Sequence, residues 1–340
     1  MTRLPFVTLV IAAVFVSASA FAKHFAVGTC KPNLPSYSFI SDAVSDPATA
    51  NSIIEVCPGT YIENVKISQA LTLQGVSSAG SDLVVINALD PRQSTLEVVG
   101  VGPVNISNIQ VQQDGSDIGI VYANASGTLN HVSVASGFGF YGINVFVDDG
   151  SSQAVSIKNS NISMAQAPHI LRGIGAAAGP GTLALTIQGN VIVGATEGVD
   201  IEPCCGGIVT ATIQGNFIDG SGAASVVGAV GVVSGGGLTI SGNTIVNNPA
   251  SGISSSAGDT LTGNNLIRNG TGISAAGAGT YVHNTITDST NGIDLGCNTS
   301  TATGNTFNND TTAFNNVPSS FGTGTNSFYA VSAIKGTACP

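Results

Sequence analysis

Charged residues are scarce in this sequence: 8% of 340, against about 25% in ordinary globular chains. Lys and Arg number only 9, beside 19 Asp and Glu, so the chain lacks the basic footprint that nucleic-acid binding requires. Tryptophan is absent and aromatic residues make up 6%. No Ala/Glu/Lys/Leu/Arg dominance exists, which argues against a helical bundle. Beyond residue 22, Gly, Asn, Ser and Thr interrupt every apolar run, so no membrane-spanning helix is expected there. Hydrophobic residues nevertheless reach 43% and are spread along the chain. That excludes simple disorder.

What is present begins with a targeting signal. Residues 1–22 carry one cation, Arg3, then an apolar stretch over 4–16, then the A-x-A patterns Ala18-Ser19-Ala20 and Ala20-Phe21-Ala22. This order predicts a signal peptide cleaved after Ala22. Cleavage makes the charge one unit more negative than −10. The expected destination is secreted, periplasmic or cell-surface. Six cysteines remain: Cys30, Cys57, Cys204, Cys205, Cys297 and Cys339. An even count in an exported chain predicts disulfides, and nearest neighbours suggest Cys30–Cys57 and Cys297–Cys339. Cys204 and Cys205 are then a vicinal pair or two free thiols. A metal site there lacks a C-x-x-C spacing and a nearby histidine.

The second half repeats a short pattern: IQGNVI, IQGNFI, ISGNTI, LTGNNL, YVHNTI and ATGNTF. Its asparagines are Asn190, Asn216, Asn243, Asn264, Asn284 and Asn305, spaced 26, 27, 21, 20 and 21 residues apart. A Gly-apolar pair follows in step, as at Gly252-Ile253, Gly272-Ile273 and Gly292-Ile293. Segments between turns hold 3–6 residues and alternate apolar with polar, which is strand periodicity. One such unit cannot bury its apolar face alone, but stacked units can. The prediction is a single all-β domain, a parallel β-solenoid of about ten coils, each ~4.8 Å above the last. The asparagines stack at one turn and form an amide ladder, where Asn and Gly tolerate a left-handed backbone. His131 and His283 occupy turn positions. A propeller is excluded because its period is ~40–50 residues.

Open edges at both ends need covering. Residues 36–46 place Phe39, Ile40, Ala43 and Val44 on one helical face, predicting an N-terminal capping helix. The expected division is 1–22 signal peptide, 23–50 N-terminal cap, 51–317 β-helix and 318–340 C-terminal cap or tail.

Residues 53–76, IIEVCPGTYIENVKISQALTLQGV, resemble the opening coil of the right-handed parallel β-helix repeat family. That family belongs to the pectin-lyase-like superfamily and includes NosD-type periplasmic proteins. The matching features are Pro58-Gly59-Thr60-Tyr61, Glu63, Val65, Ile67 and Leu71-Thr72-Leu73-Gln74-Gly75. The resemblance covers roughly 36–316 and implies a fold rather than an activity. Related folds include pectate lyases, polygalacturonases and alginate epimerases. The Asn-Thr-Asp, Asp-Pro-His-Asp and Arg-x-Pro-x-x-Arg signatures of those enzymes are missing here. A copper role by analogy with NosD lacks clustered ligands.

One region remains informative. Coil lengths swell between 130 and 243, and extra residues in a solenoid form loops that build a groove. Aligning the Gly-apolar pairs stacks Asn144, Gly175 and Asp200 at one outward position and Tyr141, Arg172 and Glu197 at another. Asp200 and Glu202 are then predicted on one exposed face, with Asp148 and Asp149 two coils away. The ligand-binding candidates are Tyr141, Asn144, Asp148, Asp200 and Glu202. The catalytic candidates are Asp200, Glu202, His169 and Arg172. Asp148, Asp200 and Glu202 are the Ca²⁺ candidates; no other cofactor is expected. The reading is an exported, noncatalytic and monomeric β-helix protein that binds a polysaccharide or cell-envelope glycan. The alternatives are a lyase- or hydrolase-type enzyme with a degenerate site near 141–202, and a purely structural surface protein.

Overall fold

A computed structural model describes residues 22–76, 83–113, 115–136, 139–164, 171–221 and 229–339. The predicted signal peptide, apart from Ala22, lies outside the described residues. The chain is a right-handed parallel β-helix. Among the described residues three parallel sheets hold 13, 12 and 12 strands. One coil shows the path. Thr182–Gln188 lies in the first sheet, Val191–Val193 in the second and Glu197–Ile201 in the third. Ile208–Gln214 then returns to the first sheet one layer on. Each strand pairs in register with its counterpart, so like residues stack. Ile187 meets Ile213, Ile192 meets Ile218 and Val199 meets Val232. These columns are buried and form one continuous core along the axis.

The repeated Gly-Asn pair lies at the turn from first to second sheet. Gly189, Gly215, Gly242, Gly263 and Gly304 have φ between 62° and 66°, a backbone that glycine adopts without steric cost. His283 takes that slot with φ 54°, and His131 has the same value, so both are turn residues. The asparagines point inward and are buried. The Asn216 backbone N–H and Nδ2 both donate to Asn243 Oδ1 at 2.9 Å, and Nδ2 also donates to the Ile187 carbonyl at 3.0 Å. The same arrangement runs from Asn190 to Asn326. From Asn216 to Asn284 each ladder amide thus has partners for both its oxygen and its nitrogen, as burial demands.

A second column forms at the next turn. Asn248 donates to Asn269 Oδ1, and the Ser289 N–H donates to Asp310 Oδ1 at 2.8 Å. Asp310 is 1% exposed, and its Oδ2 has no hydrogen-bond partner among the described residues. Burial pushes its carboxyl up to about 6, against the pull of backbone N–H donors. A raised folded value means that its stability contribution is full below pH ~4 and is lost as pH rises through about 6. Asp310→Asn is therefore expected to stabilise the protein by about 1–3 kcal/mol at pH 7. It should also flatten the stability profile between pH 4 and 7 in urea titrations. An unchanged slope would show that Asp310 does not titrate in that window.

The N-terminal helix is short, Ile40–Ser45, and buries Ile40, Ala43 and Val44. Phe39 departs from expectation: it precedes the helix in an extended conformation and is 57% exposed. Glu63 explains the helix start. Its carboxylate accepts the backbone N–H groups of Ile40 and Ser41, both at 2.9 Å, satisfying donors that a helix leaves unpaired. Disulfides join Cys30 to Cys57 and Cys297 to Cys339. Parallel pairing begins at His24–Val27 and continues to Ala333–Lys335. The sheets therefore extend past residues 51 and 317, because flanking segments add strands to the open edges. No helix among the described residues is long and apolar enough to cross a membrane.

Candidate functional site

The swollen coils do not put all their extra length into loops. Tyr141–Val147, Ser152–Lys158, Arg172–Ala178, Thr182–Gln188 and Ile208–Gln214 have 7 residues each. Later strands, such as Thr260–Thr262, have only 3. The lengthening widens the first sheet at three of these strands and the third sheet at Tyr141–Val147 and Arg172–Ala178. His169 lies outside the described residues.

Two columns cross this face. Tyr141 pairs with Arg172, and Arg172 with Glu197. Asn144 pairs with Gly175, and Gly175 with Asp200. Gly175 is the gap that shapes the cluster. A Cβ built there would sit 2.4 Å from the Tyr141 ring, so only glycine lets that ring lie across the strand. The Arg172 guanidinium carbon stands 5.3 Å from the centre of the Tyr141 ring, and Nη1 donates to the Tyr141 hydroxyl at 3.1 Å. Arg172 Nε forms ion pairs with Glu197 Oε2 at 2.8 Å and with Asp200 Oδ2.

Asp200 points away from the core, as strand alternation between Val199 and Ile201 requires. It is nevertheless only 3% exposed. This corrects the expectation of an exposed Asp200. The position faces outward, but Arg172 pairs across it from the neighbouring coil. Its Oδ1 is buried without a hydrogen-bond partner among the described residues. Burial first, and the Glu197 charge second, raise the Asp200 carboxyl to about 6, although Arg172 opposes the shift. Two carboxylates share one guanidinium, so the cluster carries one net negative charge when Asp200 is ionised.

The other candidates are distributed differently. Asn144 is half-buried, and its amide makes no hydrogen bond among the described residues. Glu202 is exposed and contributes a like charge toward Asp200. Tyr141 is not a free stacking platform, because Arg172 lies over its ring. Asp148 is exposed and exchanges hydrogen bonds of 2.7 and 2.8 Å with Asn124. It stands four residues along the strand and two coils from Asp200, roughly 13 Å by 10 Å at ordinary strand spacings. Asp148, Asp200 and Glu202 therefore do not converge on one ion. No group of three or more His, Cys, Asp or Glu suited to a metal occurs among the described residues. Glu197 is the site residue that sequence reasoning omits. The column alignment places it beside Arg172, and that was the usable signal.

Three solved structures share this architecture. A tailspike protein, gp49 from the Acinetobacter baumannii bacteriophage Fri1, is a capsular polysaccharide depolymerase. It aligns with a TM-score of 0.57 and 13% identity over 92% of this chain. The pectate lyase Pel9A aligns at 0.51 and 13%, over 94% of this chain and 79% of its own. An alginate lyase from Paenibacillus sp. str. FPU-7 aligns at 0.51 and 16%, over 94% of this chain and 99% of its own. The fold is a parallel β-helix, as in these three structures. At these identities the likeness is one of fold, and the chain spans 63% of the tailspike's length. By sequence, no family model and no curated protein matches the chain.

Proposed function

We propose that this is an exported protein whose third-sheet outer face binds an extracellular polysaccharide without cleaving it. The observation that carries the reading is the cluster of Tyr141, Asn144, Arg172, Glu197 and Asp200 on one outer face, with the half-buried Asn144 amide at its accessible side and exposed Glu202 next to it. Accessible amide and carboxylate groups match sugar hydroxyls as hydrogen-bond donors and acceptors. Export is supported by the two disulfides, which persist in oxidising compartments. The named activities of the fold neighbours, capsular polysaccharide depolymerase, pectate lyase and alginate lyase, support a polysaccharide as the ligand class.

A second reading, acid–base chemistry on a uronate polymer, is favoured by one observation. Asp200 titrates near 6 beside a guanidinium, and a carboxyl tuned toward neutrality is what general acid–base catalysis needs.

One experiment addresses both. Migration of the protein is measured in gels cast with alginate, pectate, capsular and neutral glycans, while ultraviolet absorbance follows any unsaturated uronate. The expected result is retardation by one glycan class, weakened about tenfold in Asn144→Ala, equivalent to about one hydrogen bond, with flat absorbance. Rising absorbance that disappears in Asp200→Asn replaces binding with catalysis. Retardation by no glycan, or equal retardation of the variant, removes this face as the ligand surface.

A further inference from the structure

Cys204 and Cys205 stand apart from the other four cysteines. Those four are joined in two disulfides, whereas this adjacent pair is free and exposed. Successive residues of a strand point to opposite faces. These two do not lie in a strand. The third-sheet strand ends at Ile201, and Cys205 takes a left-handed backbone with φ 54°. The turn is held on both sides: the Cys204 N–H donates to the Ala178 carbonyl, and the Gly207 N–H donates to the Cys204 carbonyl, each at 2.8 Å. It holds the two free thiols on consecutive, exposed residues of one turn. The neighbouring Cys205 thiol, then burial, keeps the Cys204 thiol protonated to higher pH than an ordinary cysteine.

We propose that Cys204 and Cys205 are a redox modification site, closing a vicinal disulfide when they meet an external disulfide. The thiolate of one cysteine attacks a sulfur of the external disulfide and expels one thiolate, leaving a mixed disulfide on the protein. The neighbouring thiol gives its proton to solvent and attacks the protein sulfur of that bond, expelling the second thiolate. The protein loses two electrons and two protons, and the external disulfide gains them as two thiols. The second attack is intramolecular, between adjacent residues of one turn, which outpaces a second external encounter.

The ring is labile by geometry. Consecutive Cα atoms lie 3.8 Å apart across a trans peptide, shorter than the 4.4–6.8 Å of ordinary disulfides. Closure must twist the turn, and strained, exposed disulfides are reduced first. Cys30–Cys57 and Cys297–Cys339, with Cα separations of 5.6 Å, suffer no such mismatch. The modifiable pair therefore sits two residues beyond Glu202 and four beyond Asp200, on the connection that leaves the candidate site.

The test uses the full exported protein and oxidised glutathione as the probe. Intact mass and thiol titration should show loss of two hydrogens and of both free thiols, with no retained glutathione. Peptide mapping should place the bond between Cys204 and Cys205. Cys204→Ser and Cys205→Ser should each hold a stable glutathione adduct, because the resolving sulfur is gone. Graded reductant should reopen the vicinal bond before the other two disulfides. Wild-type protein that retains glutathione, or that dimerises through these cysteines, overturns the proposal. So does a new bond that resists reductant as well as Cys30–Cys57 does.

Discussion

Asn243→Asp is expected to cost about 3–5 kcal/mol at pH 7, the range for an uncompensated buried charge, although it changes a single atom group. Asn243 is fully buried. Its Oδ1 accepts two bonds from Asn216. Its Nδ2 donates to the Ile213 carbonyl and to Asn264 Oδ1, both at 2.9 Å. An aspartate keeps the acceptor half and loses the donor half. Two acceptor oxygens would then face a carboxylate oxygen with no proton between them, unless the carboxylate takes one. Burial favours that uptake, so the folded-state value of the new carboxyl rises above its unfolded value. The stability it supports is full at acid pH and is lost as pH rises through the raised value. Urea midpoints should accordingly differ most from wild type at pH 7 and least near pH 4. Asn243→Ala should cost about 2–4 kcal/mol with no such pH dependence. A pH-independent loss in the aspartate variant would mean that the carboxylate finds donors the ladder does not now supply. Asp310 is the chain's own instance of the problem: it stands at the end of a stacked column with one oxygen unpartnered.

The ladder was legible in the sequence because its cause is local and repeated. A turn that needs a left-handed residue followed by an inward amide recurs at nearly constant spacing, so Gly-Asn recurs as well. The register of the third sheet was legible for the same reason: each Gly-apolar pair fixes one layer. Gly198 illustrates why glycine is retained there, since a Cβ would lie 2.4 Å from the Ile218 side chain. The burial of Asp200 was not legible. Whether an outward residue is wet depends on what neighbouring coils fold over it. Here that is Arg172, 28 positions earlier in the chain, beside a Tyr141 ring that Gly175 admits. The pairing of Asp148 was not legible either. Its use is decided by Asn124, one coil away, and no local pattern announces that pairing. Extra coil length also gave no sign of whether it would extend strands or loops.

Arg172→Ala is expected to lower stability by about 2–4 kcal/mol at pH 7, toward the lower side of the range for breaking a buried ion pair, because the side chain is 21% exposed. The guanidinium, from the neighbouring coil, is the cation that pairs with both Glu197 and Asp200 of one strand. Without it the two carboxyls repel each other in a desolvated setting, and Asp200, already raised to about 6 by burial and by Glu197, rises further. The sign follows from that rise. A carboxyl whose folded value exceeds its unfolded value stabilises the fold while protonated, and that contribution is lost as pH climbs through the folded value. The deficit of Arg172→Ala should therefore be small near pH 4 and should grow until pH passes the new Asp200 value. The double variant Arg172→Ala/Asp200→Asn separates charge from packing. If repulsion dominates, it recovers most of the lost stability at pH 7, because an amide neither repels Glu197 nor titrates. If the double variant is as unstable as Arg172→Ala, the loss comes from the packing of the guanidinium over Tyr141, and the electrostatic account of the cluster is wrong. Nuclear magnetic resonance titration of the Asp200 carboxyl in the wild type, expected near 6, supplies the independent measurement against which both variants are judged.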